Sequence, residues 1–199
     1  TEKGVYIDTV QLPASALGYT ISYQRCCRNS SISNIPNPGN QGNTFTIDVP
    51  PNDFSCNSSP DFTTDPPVAL CLNVYSSIDM STSEIDGDSV VYSLCRLYNG
   101  GGPNTTNVAP GALNSPAPDP AAPPPYSFIP FANGFSPNNP ISSAPAFSID
   151  PQTGILTGTP SQVGQYVFAI CATEYRNGVL LSTVRRDFQF NVTSACRRI

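Results

Sequence analysis

The chain has 199 residues, with 22 prolines, 14 glycines, no histidine, no tryptophan and a net charge of −5. Only 12% of the residues are charged and Lys3 is the single lysine, so no basic patch exists to displace the counterions of a nucleic acid. Without histidine the commonest general base is missing, and serine–histidine and cysteine–histidine nucleophile pairs are excluded.

In chain order, residues 5–12, 19–25 and 43–49 read as strands, with an Asn-, Ser-, Pro- and Gly-rich loop over 29–42. Punctuation by proline and asparagine over 50–60 sets a soft boundary near residue 60. The reading is a small or partial β module over 1–60 and a larger sandwich over 61–199. Residues 68–74 and 89–98 are the next strands. The low-complexity stretch 99–125 reads as a long surface loop, after which Tyr126, Phe128, Phe131 and Phe135 lead back towards the core. A turn over 151–154 separates strands at 146–149 and 155–157. Residues 166–173 alternate, with Tyr166, Phe168, Ile170 and Ala172 on one face and Val167, Ala169 and Cys171 on the other. Arg176-Asn177-Gly178 is a hairpin signal before residues 179–192, where Phe188, Phe190 and Val192 alternate with polar residues. No helical apolar period appears, so the expected fold is all-β: an antiparallel sandwich with long Pro/Gly-rich loops. Arg185-Arg186 and Arg197-Arg198 read as strand-edge and terminal charges.

Seven cysteines, at 26, 27, 56, 71, 95, 171 and 196, form no C-x-x-C pair, and no histidine is present to complete a mixed zinc site. They read as disulfides made in an oxidising compartment, with three bridges at most and one thiol left over. Cys95 and Cys171 fall on strands of one sandwich and are candidates to bridge it. Cys26 and Cys27 point to opposite faces of an extended segment, so different partners are expected for them. Partners for Cys56, Cys71 and Cys196 stay open. The chain contains no apolar run of membrane-spanning length and no leader pattern, and it starts at a threonine; a mature or excised extracellular piece is expected.

Glu84-x-Asp86-Gly87-Asp88 is the strongest site candidate, because alternating oxygen donors around a glycine turn can converge on a hard cation. Asp150, Glu174 and Asp79, acidic residues at expected strand ends, are possible further ligands. The EF-hand spacing fails, since no glutamate occupies the twelfth position, and the same residues also suit a turn whose carboxylates cap backbone N–H groups. Asp53, Asp61, Asp65 and others leave paired carboxylates available. Yet no tryptophan is present for sugar stacking, and no glycine-rich loop opens a helix. An enzyme is not expected.

Three segments carry a resemblance. Residues 147–160 follow F-x-I-D-x-x-T-G-x-L-x-G-x-P, and Gly164-x-Tyr166-x-Phe168 with an apolar strand comes after. Tyr23-Gln24-Arg25-Cys26-Cys27-Arg28-Asn29 and the stretch 84–94 precede them in the same order. Over residues 5–196 the chain resembles cadherin-like and immunoglobulin-like repeats of large Bacteroidetes surface proteins, among them gliding-motility-associated and type IX-secreted ones. In that family comparable sequence precedes the CCRN strand, so the chain is expected to start partway through a larger unit. The resemblance implies calcium near module ends, but the D-x-N-D-x-P linker motif of cadherins is absent. It also implies O-glycosylation at Thr9 and Ser89, within Asp8-Thr9-Val10 and Asp88-Ser89-Val90.

The expected function is non-enzymatic: an extracellular, cell-surface structural module of a bacterial adhesin or filament that chains with like modules or identical subunits, with residues 5–12 at an edge or paired outside the chain. The alternative is a carbohydrate- or surface-binding adhesin tip using the 99–135 loops with Tyr98, Tyr126 and Phe131. Neither a nucleic acid nor a membrane span is expected.

Overall fold

The computed structural model describes residues 5–51, 56–102 and 115–196; Lys3, Asp53, the 103–114 part of the low-complexity stretch and Arg197-Arg198 lie outside them. The described strands are β1 (Tyr19–Cys26), β2 (Gly42–Val49), β3 (Asp61–Phe62), β4 (Ala69–Cys71), β5 (Ser76–Asp79), β6 (Thr82–Ser83), β7 (Ser89–Cys95), β8 (Ser148–Ile149), β9 (Ile155–Gly158), β10 (Gly164–Arg176) and β11 (Val179–Thr193). The hairpin signal at 176–178 is the hinge of the whole architecture. Asn177 and Gly178 take φ values of 53° and 79°, the pair of left-handed residues that a tight hairpin of the right twist demands. β10 and β11 therefore pair antiparallel along nearly their full length, and β7 adds to the other edge of β10. β4 joins β11 in parallel, giving the order β4-β11-β10-β7.

One face of this sheet presents Tyr166, Phe168, Ile170, Phe190 and Val192, as the alternation requires. It packs on Ile78, Leu156, Phe147, Met80 and Ile141, carried by and around a second sheet, β5-β9-β8. This is a disulfide-stapled all-β sandwich. Each large apolar side chain buried there contributes about 1.5–3 kcal/mol.

The opposite face of β10 is covered as well. Val167 and Ala169 lie beneath Ile32, Ile35, Leu97 and Ile129, with Phe131 packed against them. Residues on both sides of position 60 meet in this second cluster, so the boundary placed there does not divide the core. Asn34, fully buried, holds the 29–35 loop in place: its Nδ2 donates to the carbonyls of Pro140 and Val167, and its Oδ1 accepts from the Val167 N–H. A side-chain amide here does the work of a neighbouring strand.

The 147–160 motif becomes a packing unit. Asp150 Oδ1 accepts from the N–H groups of Gln152 (2.9 Å) and Thr153 (2.8 Å), and Gly154 at φ +71° closes the turn. The Phe147 ring then lies so close over Gly158 that a Cβ there would approach it to 2.6 Å. The arginine of the CCRN segment is equally occupied. Arg28 donates through Nε to the Gly42 carbonyl (2.9 Å) and through Nη1 and Nη2 to both Asp187 oxygens (3.0 and 2.5 Å), tying β2 to β11.

Cys71–Cys196 and Cys95–Cys171 are bonded, and Cys56 is the exposed free thiol. The Cys95–Cys171 bridge joins neighbouring strands β7 and β10 within one sheet rather than crossing the sandwich. The expectation of separate partners for Cys26 and Cys27 is overturned: they bond to each other. The alternation argument assumed extended trans backbone, whereas this peptide bond is cis with the two Cα atoms 3.0 Å apart, which puts both side chains on the same side. Residues 5–12 form no strand. They find no backbone partner among the described residues, and a strand without a ladder is not one.

β1 and β2 make a separate two-stranded ribbon. Its polar face turns inwards: buried Gln24 accepts from the Ala122 N–H, and buried Thr44 donates to the Asn99 carbonyl. The apolar cross-strand pairs Tyr19–Val49, Ile21–Ile47 and Tyr23–Phe45 fall on the other face. There Ile21 is 53% and Tyr23 60% exposed. On β2 the same face is half-buried, Phe45 lining a cavity with Ile32, Val167 and Phe188, so the apolar surface left exposed is that of β1.

Candidate metal centre

The acidic turn after β6 folds around its own first residue. Glu84 accepts the Asp86 N–H (2.7 Å) and the Asp88 N–H (2.6 Å), while Gly87 takes φ +85°. The capping role weighed from sequence is thus filled by Glu84. It does not exclude a site, because each carboxylate oxygen keeps a second lone pair. The turn delivers Asp86 and Asp88 to the end of β10, where Glu174 sits. Carboxylate oxygens of Glu84, Asp86, Asp88 and Glu174 lie within 4.8 Å of one another, a cluster able to hold a metal ion.

Glu174 is fully buried. Its Oε2 accepts from Asn57 Nδ2 and Ser182 Oγ, both at 2.8 Å, whereas Oε1 receives no hydrogen bond. A buried carboxylate oxygen without a donor is costly unless a cation or proton meets it. Arg176 supplies part of the neutralising charge. It grips Asp88 through Nε (2.7 Å) and Nη2 (2.6 Å), donates to Asn57 Oδ1 (3.0 Å), and stands 3.9 Å from Asp86 Oδ2. One guanidinium against four carboxylates leaves a net charge of −3 if all are ionised. The donor set is entirely oxygen, which suits a hard cation and not a soft one.

The Arg176 hydrogen bonds hold the Asp88 carboxyl below its ordinary value. The sign follows from linkage: a depressed folded pKa contributes stability that is present above the unfolded value and lost as pH falls through the folded one. Acid titration of Asp88→Asn, followed by circular dichroism, is therefore expected to show less stability lost below about pH 4 than the parent loses.

Two expected ligands are elsewhere. Asp150 caps the 151–154 turn and Asp79 accepts the Ser81 N–H (2.9 Å); neither joins the converging oxygens. Asn57, Ser182 and Arg176 were not foreseen. Arg176 was recognisable only as part of a hairpin signal, and nothing in sequence brings Asn57 to Glu174.

No family model matches the chain, and no curated protein or solved structure matches it either.

Of the aromatic residues considered for a binding surface, Tyr98 and Tyr126 meet at 5.3 Å between ring centroids, and Tyr98 stacks on Phe128 at 5.1 Å. Arg185 lies over the Tyr98 ring and Arg96 over Phe128, each at 4.0 Å. With Pro124, Pro125 and Thr46 these rings line a groove of about 320 Å³. Phe131 belongs to the second core cluster instead. Thr9 and Ser89 are both exposed, and the Ser89 hydroxyl donates to the Tyr175 carbonyl (3.1 Å). No helix among the described residues is long and apolar enough to cross a membrane.

Proposed function

We propose that the chain is a non-enzymatic, extracellular structural module of a bacterial surface adhesin or filament that associates with copies of itself. The observation that carries this reading is the apolar face of the ribbon: Ile21 and Tyr23 on β1 are exposed beside half-buried Phe45 and Ile47 on β2. Contiguous exposed apolar surface of this kind marks a protein contact rather than a solvent boundary. The disulfides support the compartment, since such bonds persist outside the reducing cytosol and slow unfolding and proteolysis there. Sedimentation of the oxidised protein over a concentration series tests it: self-association is expected, and a monomer at all concentrations contradicts it.

Calcium is the ion this reading places between Glu84, Asp86, Asp88 and Glu174, bracing the β6–β7 turn against β10. An ion bound only by the folded chain at a hundred times its Kd adds about 2.7 kcal/mol. The melting temperature is accordingly expected to rise with calcium and fall with a chelator, and Glu174→Gln should abolish the difference. Equal melting in calcium and chelator rejects the ion.

A second reading, a glycan-binding tip, is favoured by the groove that Tyr98, Tyr126 and Phe128 line together with Thr20, Thr46 and Asp48. Aromatic surface beside hydroxyl and carboxylate groups is what a sugar needs. Binding of an isolated glycan, lost in Tyr126→Ala, would support it over the structural role.

A further inference from the structure

Residues 5–12 run exposed, with Val5 at 71%, Tyr6 at 96%, Ile7 at 91% and Val10 at 68% accessible. Their only hydrogen bond among the described residues is local, from the Thr9 N–H to Asp8 Oδ1. Five of these eight residues are apolar, which is not the composition of a solvated tail. Meanwhile the β1–β2 ribbon is one strand short. A two-stranded hairpin alone is marginal in water, and three or more strands sharing an apolar face are needed for independent stability. No strand but β2 pairs with β1, which is also eight residues long; on its other edge the Cys26 N–H donates to the Pro116 carbonyl (2.8 Å), and Tyr19 to Arg25 make no backbone bond there among the described residues. In its own chain the segment leaves β1 at a turn closed by Ser15 Oγ donating to the Gly18 carbonyl, and the two backbones do not pair.

The geometry points to strand addition between copies: residues 5–12 of one chain add antiparallel to the open edge of β1 in the next. This inference rests on the self-association proposed above and names its two surfaces. Side-chain chemistry selects a register. With Asp8 opposite Arg25, Val10 falls opposite Tyr23 and Leu12 opposite Ile21, so one ion pair and two apolar pairs form on the outward face together. Arg25 is exposed and makes no ion pair among the described residues, and Ile21 and Tyr23 gain the cover they lack. Cross-strand pairs of these kinds are favourable in antiparallel sheets. Because donor and acceptor are different surfaces of the same chain, the contact is head-to-tail and propagates rather than closing.

Prolines at adjacent positions remove the N–H groups of both alternating phases, so Ile7→Pro/Asp8→Pro blocks strand addition whichever phase faces the partner. Its own fold should not suffer, since the segment has no backbone partner to lose. The parent chain is expected to sediment as polymers and the proline variant as a monomer with an unchanged melting temperature. Asp8→Arg and Arg25→Asp should each weaken assembly, and the double exchange Asp8→Arg/Arg25→Asp should restore it. Polymers formed equally by the proline variant overturn the strand addition and leave the structural reading standing. Failure of the double exchange to restore assembly overturns the register. A parent chain that stays monomeric overturns both the inference and the reading beneath it.

Discussion

Replacing both Cys71 and Cys196 by serine is expected to destabilise the folded protein by about 4 kcal/mol, the cost of releasing a loop of about 50 residues in an unfolded chain that the nested Cys95–Cys171 bridge already shortens. The two residues are 125 positions apart, the widest separation of the three bridges. The bond also holds a weak element. β4 contributes only three residues, pairs in parallel with Asn191–Thr193 at the end of β11, and buries just Leu70. Parallel pairs are slightly less stable per residue than antiparallel ones, so little else retains β4 when the bridge is gone. Denaturant titration in oxidised and serine forms measures the difference. A loss below about 1 kcal/mol, on a scale where native bridges cost 2–5, shows that the native β4 contact is held by its apolar packing instead.

The second large effect is at Arg28. Arg28→Met is expected to cost about 3–5 kcal/mol, because it leaves a buried carboxylate without its partner. The side chains of Arg28 and Asp187 are 4% and 6% exposed. Burial pushes the Asp187 carboxyl up from its ordinary value even against the guanidinium, and removing the arginine pushes it further. The pH dependence distinguishes this from lost packing. A raised folded pKa gives stability that is present below the unfolded value and lost as pH rises through the folded one. The penalty in Arg28→Met should therefore shrink as pH falls towards about 4, as Asp187 takes up a proton. A penalty independent of pH assigns the loss to the apolar stem of Arg28 and to its bond with the Gly42 carbonyl. In the double variant Arg28→Met/Asp187→Leu much of the loss should return, since apolar replacement of both partners of a buried pair is often neutral.

The long elements were legible because their cues are local. Alternation in 166–173 and the Arg176-Asn177-Gly178 turn set out β10 and β11, and β1, β2 and β7 came within a few residues of their bounds. The very short strands β3 and β6 were not, since two residues carry no period to read. Nor was the parallel placement of β4, which depends on the distant end of β11. The burial of both faces of β10 could have been suspected from the unbroken apolar run 166–172, but what covers the second face is the 29–35 loop, held by the Asn34 side chain and by Ser33 bonding to the Gln165 carbonyl.

At the acidic site, the sequence showed the Glu84–Asp88 turn and offered Glu174 as one of three further ligands. It did not show why Glu174 is the one that converges: the β10–β7 pairing carries it there, while Asp150 is consumed by its own turn. The cysteines failed for a sharper reason. Alternation along an extended strand is a rule about trans backbone, and Cys26-Cys27 does not obey it. The ribbon shows the same limit from another side. Tyr-Ile-Tyr alternating with Thr-Ser-Gln reads as a strand with one buried face, but alternation does not say whether the core that buries it belongs to the same molecule.

Electron microscopy of the chain as produced by its native cells tests the proposed structural role most directly. Regular fibres whose axial repeat matches one such module are the predicted result, and in them the β1 edge should be covered. Dispersed single particles would contradict a self-associating module and leave the aromatic groove as the feature to explain.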